Sequence, residues 1–205
     1  RMLQVLDKNK IVHAGAGNNI HQASQAKICR IGQQQIGFIA FTDNEPDWEA
    51  NETSPGVFHV PTDVDDSRAQ FLFKSIQDLR NKVDFVIVSA HWGSNWGYAP
   101  PKEHVPFAHA LVDAGADLIF GHSGHVFRGI EIYKERPILY CVGDFIDDYA
   151  VDEVEKNDES FIFVVEIGEK LKLSLYPTTI NHFQANLASG FLQKNILSKM
   201  QKLSS

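Results

Sequence analysis

The chain has 205 residues, of which 43% are hydrophobic and 22% charged, a composition typical of a single soluble globular domain. Its formal net charge of −7 argues against the basic surface of a nucleic-acid-binding protein, so we expect no nucleic-acid partner. No apolar run approaches the roughly 18 residues of a membrane-spanning helix, and two cysteines are too few for a disulfide framework or a cysteine-based zinc site.

The first 80 residues alternate short regular elements with one long polar loop. Residues 2–6 have the pattern of the last turns of an amphipathic helix, although only Arg1 precedes them in the chain. Either Arg1 is a tag residue before a true start at Met2, or upstream sequence is absent from the chain. Residues 11–13 predict an extended run, 15–19 a turn, 21–27 a helical turn, and 28–31 with 36–41 a hairpin. Residues 42–61 form a long loop, and 63–80 a helix.

The centre of the chain predicts a parallel strand–helix–strand unit. Residues 84–90 and 117–120 have the pattern of buried strands, with an amphipathic helix over 105–114 between them. Hairpins follow at 126–133 with 137–142 and at 161–167 with 171–176. An acidic loop covers 147–159, and a helix covers 184–202. We therefore predict an α/β fold with added antiparallel hairpins, formed by residues 1–205 as one domain.

Three of the nine histidines follow buried strands. His91 comes after the first strand of the unit, and His122 and His125 come after the second. Ligands bind at the carboxyl ends of strands in open α/β sheets, and imidazole is the commonest metal-binding side chain. The three could share a site for a borderline or harder divalent metal, with carboxylates supplied from elsewhere. The alternative is that they cap or pack the turns.

Several other side chains are candidates for the same region. Asp144 follows a strand and could orient His122 or His125, or it could simply form a turn. Trp92, Asn95 and Trp96 could line a substrate cleft, although aromatic residues at this density more often pack. We expect a structural role for Glu131. The acids Asp147, Asp148 and Asp152 have the pattern of a solvated surface loop.

Five motifs in this order resemble the bacterial capsule-synthesis CapA family, the poly-γ-glutamate biosynthesis group of the calcineurin-like metallophosphoesterase superfamily. They are SAHWG at 89–93, LVDAGAD at 111–117, GHSGHV at 121–126, GIEIY at 129–133 and LYCVGDF at 139–145. The turn GAGN at 15–18 is similar as well, so that the resemblance covers roughly residues 1–185. It implies a metallophosphoesterase-like α/β sandwich whose N-terminal part is missing from this chain.

The resemblance also implies a dinuclear site. His91 and His122 would bind one metal and His125 the other. From its position after a strand, we expect Asp144 to act with His122 in catalysis. The family's Asp-x-His pair, bridging Asp and Asn would lie upstream of Arg1, so we expect this chain alone to bind metal weakly. Two ions of Mn, Fe or Zn would clamp a phosphoryl or related group and lower the pKa of a bridging water, which attacks in line.

Two functions follow from these expectations. The first is a metal-dependent hydrolase of capsule or poly-γ-glutamate biosynthesis, acting on a small molecule or polymer precursor. The second is a non-catalytic partner in capsular polymer assembly or export, with a degenerate site. A third interpretation is an α/β domain whose histidines are structural. The cysteines favour a cytoplasmic location, whereas an upstream segment could carry an export signal or a membrane anchor.

Overall fold

A computed structural model describes residues 1–147 and 150–204, and these form two compact units. The first unit consists of Arg1–Trp92 and Glu103–Ile119, and the second of Gly93–Lys102 and Phe120–Ser205. Strand β6 begins in the first unit and ends in the second. The elements of the first unit are α1 Met2–Lys8, β1 Ala16–Gly17, α2 Ile20–Ala23, β2 Lys27–Ile31, β3 Gln34–Thr42, the 3-10 turn Pro46–Trp48, β4 Gly56–Val57, α3 Ser67–Arg80, β5 Phe85–His91, α4 His104–Asp113 and the start of β6 Leu118–His122.

The sheet of the first unit combines the two pairings that the sequence predicted. Strands β2 and β3 form an antiparallel hairpin. Strands β3 and β5 pair in parallel, and their register ends with Thr42 opposite His91. Leu72 and Ile76 of α3, Phe107 of α4, and Val86, Val88 and Ala90 of β5 are fully buried. The polar ends of β3 and β5 therefore meet at the same edge of the sheet.

One buried carboxylate joins α3, β5 and the residue that precedes β6. The Asp117 carboxylate accepts a hydrogen bond from the backbone N–H of Val86 (2.8 Å) and another from the Arg80 guanidinium. The backbone N–H of Asp117 in turn donates to the Val86 carbonyl (2.9 Å). These bonds satisfy a carboxylate that would otherwise be costly to bury.

The second unit is mainly antiparallel. Its elements after β6 are β7 Ile130–Tyr133, β8 Arg136–Leu139, β9 Glu159–Glu166, β10 Lys172–Asn181, β11 Gln184–Leu187 and α5 Gly190–Leu203. Strands β7 and β8 form one hairpin, and β9, β10 and β11 form a three-stranded sheet. The core contains Phe127 and Phe161 from the strand side and Ile196 and Met200 from α5.

The structure confirms the mixed α/β fold with a parallel pair and antiparallel hairpins, and it corrects several boundaries. The predicted helix over 63–80 begins only at Ser67, because the Asp66 side chain caps its first turn. The predicted helix over 184–202 is wrong at its start. Residues Gln184–Leu187 form β11 and pair with β10, and Gly190 begins α5 instead of interrupting a helix.

Smaller corrections concern the first 60 residues and the strand ends. Residues 11–13 form no strand, whereas Ala16–Gly17, predicted as part of a turn, pairs with Gly56–Val57 inside the predicted long loop. His91 and His122 are the last residues of β5 and β6. Among the described residues, no helix is long and apolar enough to cross a membrane.

Asp66 is expected to stabilise the first unit in a pH-dependent way. Its hydrogen bonds with the Arg68 side chain, and then with the Arg68 backbone N–H, lower the pKa of the carboxyl from 3.8 to about 2. We expect Asp66→Ala to lower the free energy of unfolding at pH 7 by about 1 kcal/mol, because α3 loses its N-cap. The loss should shrink as the pH falls from about 4 towards 2, because the folded-state pKa is the lower one and the wild type loses its ionised carboxylate there.

Urea denaturation at pH 7 and pH 2.5 measures this difference. The exposed neighbour Asp65 offers a matched control, and Asp65→Ala should change the free energy of unfolding by less than about 0.5 kcal/mol. Equal losses in the two variants at pH 7 would contradict a specific capping role.

Candidate metal site

His91 is held by the end of the neighbouring strand. Its Nδ1 lies 3.0 Å from the Thr42 hydroxyl and 3.4 Å from the Asn44 side-chain amide. Thr42 reaches it because the parallel register of β3 and β5 places the two residues opposite each other. Contacts of this kind fix the orientation of an imidazole ring. Sequence reasoning missed Thr42 and Asn44, which no motif marks.

Trp92, predicted for a substrate cleft, lies in the interior of the first unit. Its side chain is fully buried, stacks on His104 with ring centroids 4.5 Å apart, and meets Phe41 edge-on at 6.1 Å. His104 is also buried, and its Nε2 lies 3.4 Å from the Asp43 carboxylate. The geometry therefore gives Trp92 a packing role.

His122 and His125 flank a tight turn in the second unit. His122 ends β6, and its ring lies 5.6 Å from that of Phe120. Ser123 has a φ of 114°, a conformation that side chains rarely adopt. Gly124 allows close packing, because a Cβ there would lie 3.1 Å from both the Ser94 carbonyl oxygen and the Cys141 sulfur. A side chain at position 124 would therefore be too close to both neighbours.

His125 contacts Asp144, Asn95 and Trp96. Its Nδ1 lies 3.1 and 3.0 Å from the two carboxylate oxygens of Asp144, and both side chains are largely buried. Its backbone N–H donates to the Asn95 carbonyl (2.8 Å), and its ring lies 5.2 Å from that of Trp96. Asn95 and Trp96 are exposed. Two of the three predicted cleft residues thus border His125.

Asp147 completes a group of three potential metal ligands. One ligand atom from each of His125, Asp144 and Asp147 lies within 4.8 Å of the others. Burial, followed by a hydrogen bond from Asp147, raises the pKa of Asp144 to about 7, against the lowering effect of His125. The second carboxylate oxygen of Asp147 is buried and has no hydrogen-bond partner among the described residues.

This group fits a divalent cation. A buried carboxylate oxygen without a partner is energetically costly, and a cation would satisfy it. One imidazole nitrogen with carboxylate oxygens is a donor set suited to ions such as Mn, Fe and Zn, the metals that the family resemblance implies. We refer to His125, Asp144 and Asp147 as the HDD group.

The HDD group overlaps only partly with the site predicted from the sequence. It contains His125 and Asp144, whereas His122 is not a member and His91 belongs to the other compact unit. The shared site of three histidines stays a prediction, as do the catalytic roles of His122 and Asp144. The sequence pattern predicts a solvated loop for Asp147. The one feature of the sequence that could have indicated a ligand is its position three residues after Asp144.

The other acidic residues considered in the sequence analysis are not members of the HDD group. Asp148 lies outside the described residues. The Asp152 carboxylate accepts hydrogen bonds from the backbone N–H groups of Val154 and Glu155 and so forms a turn. Glu131 accepts a hydrogen bond from the Tyr140 hydroxyl (2.6 Å), a structural contact between β7 and the residue after β8.

Comparison with known proteins identifies the family. A sequence model described as "Bacterial capsule synthesis protein PGA_cap" matches residues 1–149. The chain belongs to this family. The match covers the motifs around His91, His122, His125 and Asp144, so the PGA_cap segment includes most of the residues predicted from the sequence.

Two named relatives are consistent with this assignment. The chain is 38% identical over 144 residues to a probable polyglutamine synthesis accessory protein of Mycobacterium tuberculosis, covering 68% of this chain and 38% of that protein. It is 31% identical over 144 residues to the PGA biosynthesis protein CapA of Bacillus subtilis, covering 69% of this chain and 36% of CapA. The PGA_cap chain thus spans just over a third of the length of these relatives.

Solved structures give a weaker similarity. The alignment with a putative 5'-nucleotidase from Staphylococcus aureus covers 93% of this chain and 36% of the nucleotidase chain, at 14% identity and a TM-score of 0.49. The alignment with the NAD nucleotidase of Haemophilus influenzae covers the whole of this chain and 43% of the nucleotidase chain, at 13% identity and a TM-score of 0.42. The family assignment therefore depends on the sequence match.

The HDD group predicts a measurable affinity for Mn²⁺. We expect Asp147→Asn to raise the Mn²⁺ dissociation constant at least about tenfold, because a neutral amide replaces a carboxylate. Titration calorimetry with Mn²⁺ up to the millimolar range measures it. Glu153→Gln is the matched control, since Glu153 is an exposed acid of the same loop, with a side chain 92% exposed. An unchanged dissociation constant in Asp147→Asn would exclude Asp147 as a ligand.

Proposed function

We propose that this PGA_cap chain forms the metal-binding part of a hydrolase that acts on a phosphoester or related bond in capsule or poly-γ-glutamate biosynthesis. The observation that carries the proposal is the HDD group, in which an imidazole and two carboxylates converge within 4.8 Å. The names of the relatives, a polyglutamine synthesis accessory protein and a PGA biosynthesis protein, supply the biosynthetic context.

The chain's own residues would prepare the site in two ways. Without a cation, Asp144 contacts the His125 ring at Nδ1, so the imidazole and this carboxylate already lie together where a cation would bind. Trp96 borders the same ring and is 41% exposed, which places an apolar surface beside the ligands. An apolar flank of this kind would restrict water around the reacting group.

The reaction would depend on divalent cations. When bound, such ions supply Lewis-acid polarisation of a phosphoryl oxygen and lower the pKa of a water molecule. His91 and His122 are proposed as further ligands of a dinuclear site, as the family resemblance implies. The net charge of −7 does not oppose an anionic substrate there, because bound cations invert the local charge.

A hydrolysis assay tests this function. In an assayed protein that also carries the family's Asp-x-His, bridging Asp and Asn motifs, we expect Mn²⁺-dependent hydrolysis of p-nitrophenyl phosphate or bis(p-nitrophenyl) phosphate, lost in His125→Ala because an HDD ligand is removed. Asp144→Ala should reduce the rate at least about 10- to 100-fold, because the HDD group loses a carboxylate and His125 loses its contact at Nδ1. The control is His21→Ala, at an exposed histidine that pairs with Glu52.

The outcomes separate the two candidate functions. A rate that is equal in wild type and His125→Ala would contradict the hydrolase. Mn²⁺ binding by the wild type with no hydrolysis of either substrate would favour a non-catalytic partner in capsular polymer assembly or export.

A further inference from the structure

Arg128 is a buried charge that the predicted site did not include. Its side chain is fully shielded from solvent, and burying a guanidinium is costly unless its donors are satisfied. Its Nη2 donates to the Ser94 carbonyl (2.6 Å), the Ser94 hydroxyl (3.2 Å) and the Trp96 carbonyl (3.3 Å), and its Nε donates to the Gly97 carbonyl (3.0 Å). All of these acceptors belong to the segment 94–97, whereas Nη1 is buried with no hydrogen-bond partner among the described residues.

The segment 94–97 is the part of the chain that borders His125. The Asn95 carbonyl accepts the His125 backbone N–H, and the Trp96 ring lies 5.2 Å from the imidazole. The Ser94 carbonyl lies against Gly124, where a Cβ would come within 3.1 Å of it. The guanidinium therefore binds the segment that contacts the turn from His122 to His125.

Arg128 is also fixed on its other side. Its backbone N–H donates to the Cys141 carbonyl (2.9 Å), and the Cys141 thiol donates to the Gly124 carbonyl (3.3 Å). One residue thus connects segment 94–97, the histidine turn and the strand region that leads to Asp144.

We propose that Arg128 is a positioning residue that holds segment 94–97 against His125 and thereby sets the affinity of the HDD group for metal. The effect on metal affinity rests on the proposed function, whereas the anchoring of segment 94–97 by Arg128 does not. Arginine is required because its planar guanidinium serves several carbonyls at once, whereas a lysine ammonium is a compact point charge without that fixed geometry.

Hydrogen exchange and metal binding together test the proposal. In Arg128→Lys, we expect amide exchange in peptides covering 93–98 and 121–126 to accelerate about tenfold or more, with peptides of α3 unchanged. The Mn²⁺ dissociation constant should rise about 10-fold. Arg80→Lys is the matched control, since Arg80 also donates to backbone carbonyls, those of Val83 (3.1 Å) and Asp84 (2.8 Å), in the first unit.

A milder variant keeps the test decisive if Arg128→Lys does not fold. Ser94→Ala removes the hydroxyl that accepts from Arg128 and donates to the Trp96 carbonyl (2.8 Å). It leaves the carbonyl acceptors of the guanidinium in place, so the same peptides should exchange faster by a smaller factor. Unchanged exchange at 93–98 and 121–126 would overturn the anchoring. Faster exchange with an unchanged Mn²⁺ dissociation constant would overturn the positioning role. A wild type that takes up no Mn²⁺ would contradict the proposed function instead, and the exchange rates would still decide the anchoring.

Discussion

The hydrogen bond between His125 Nδ1 and the Asp144 carboxylate is the interaction on which the candidate metal site depends. It joins the turn after β6 to the segment after β8, and both side chains are largely buried. Asp147 adds a second carboxylate, with a buried oxygen that has no partner among the described residues. Burying a carboxylate oxygen without a partner is costly, and a cation bound between the imidazole and the two carboxylates would satisfy it, which is why we interpret the arrangement as a metal site.

Positions around the ligands are fixed by hydrogen bonds to hydroxyl and backbone carbonyl groups of neighbouring segments. In the first unit, the parallel register of β3 and β5 brings the Thr42 hydroxyl to His91. In the second unit, backbone carbonyls of segment 94–97 receive the Arg128 guanidinium, and the same segment contacts His125. These arrangements orient imidazole rings before any ligand arrives, as metal sites require.

The fold could be predicted from the sequence where burial and periodicity agree, as in the strand–helix–strand unit and the hairpins. Residues 184–187 were assigned wrongly because a short segment beside a helix carries no decisive period, and its pairing with β10 decided the outcome. His125 and Asp144 were found because both follow strands. Asp147 was missed because an acidic run is usually solvated, and Arg128 because its acceptors lie more than thirty residues away.

The central claim is that the HDD group binds a divalent cation in this PGA_cap chain. A crystal structure of the protein grown with Mn²⁺, with diffraction data collected at an energy where manganese scatters anomalously, tests it most directly. The account predicts an anomalous peak about 2.0 to 2.3 Å from ligand atoms that include His125 and Asp147. A well-ordered group with no peak at saturating Mn²⁺, or a peak bound only by other residues, would contradict it.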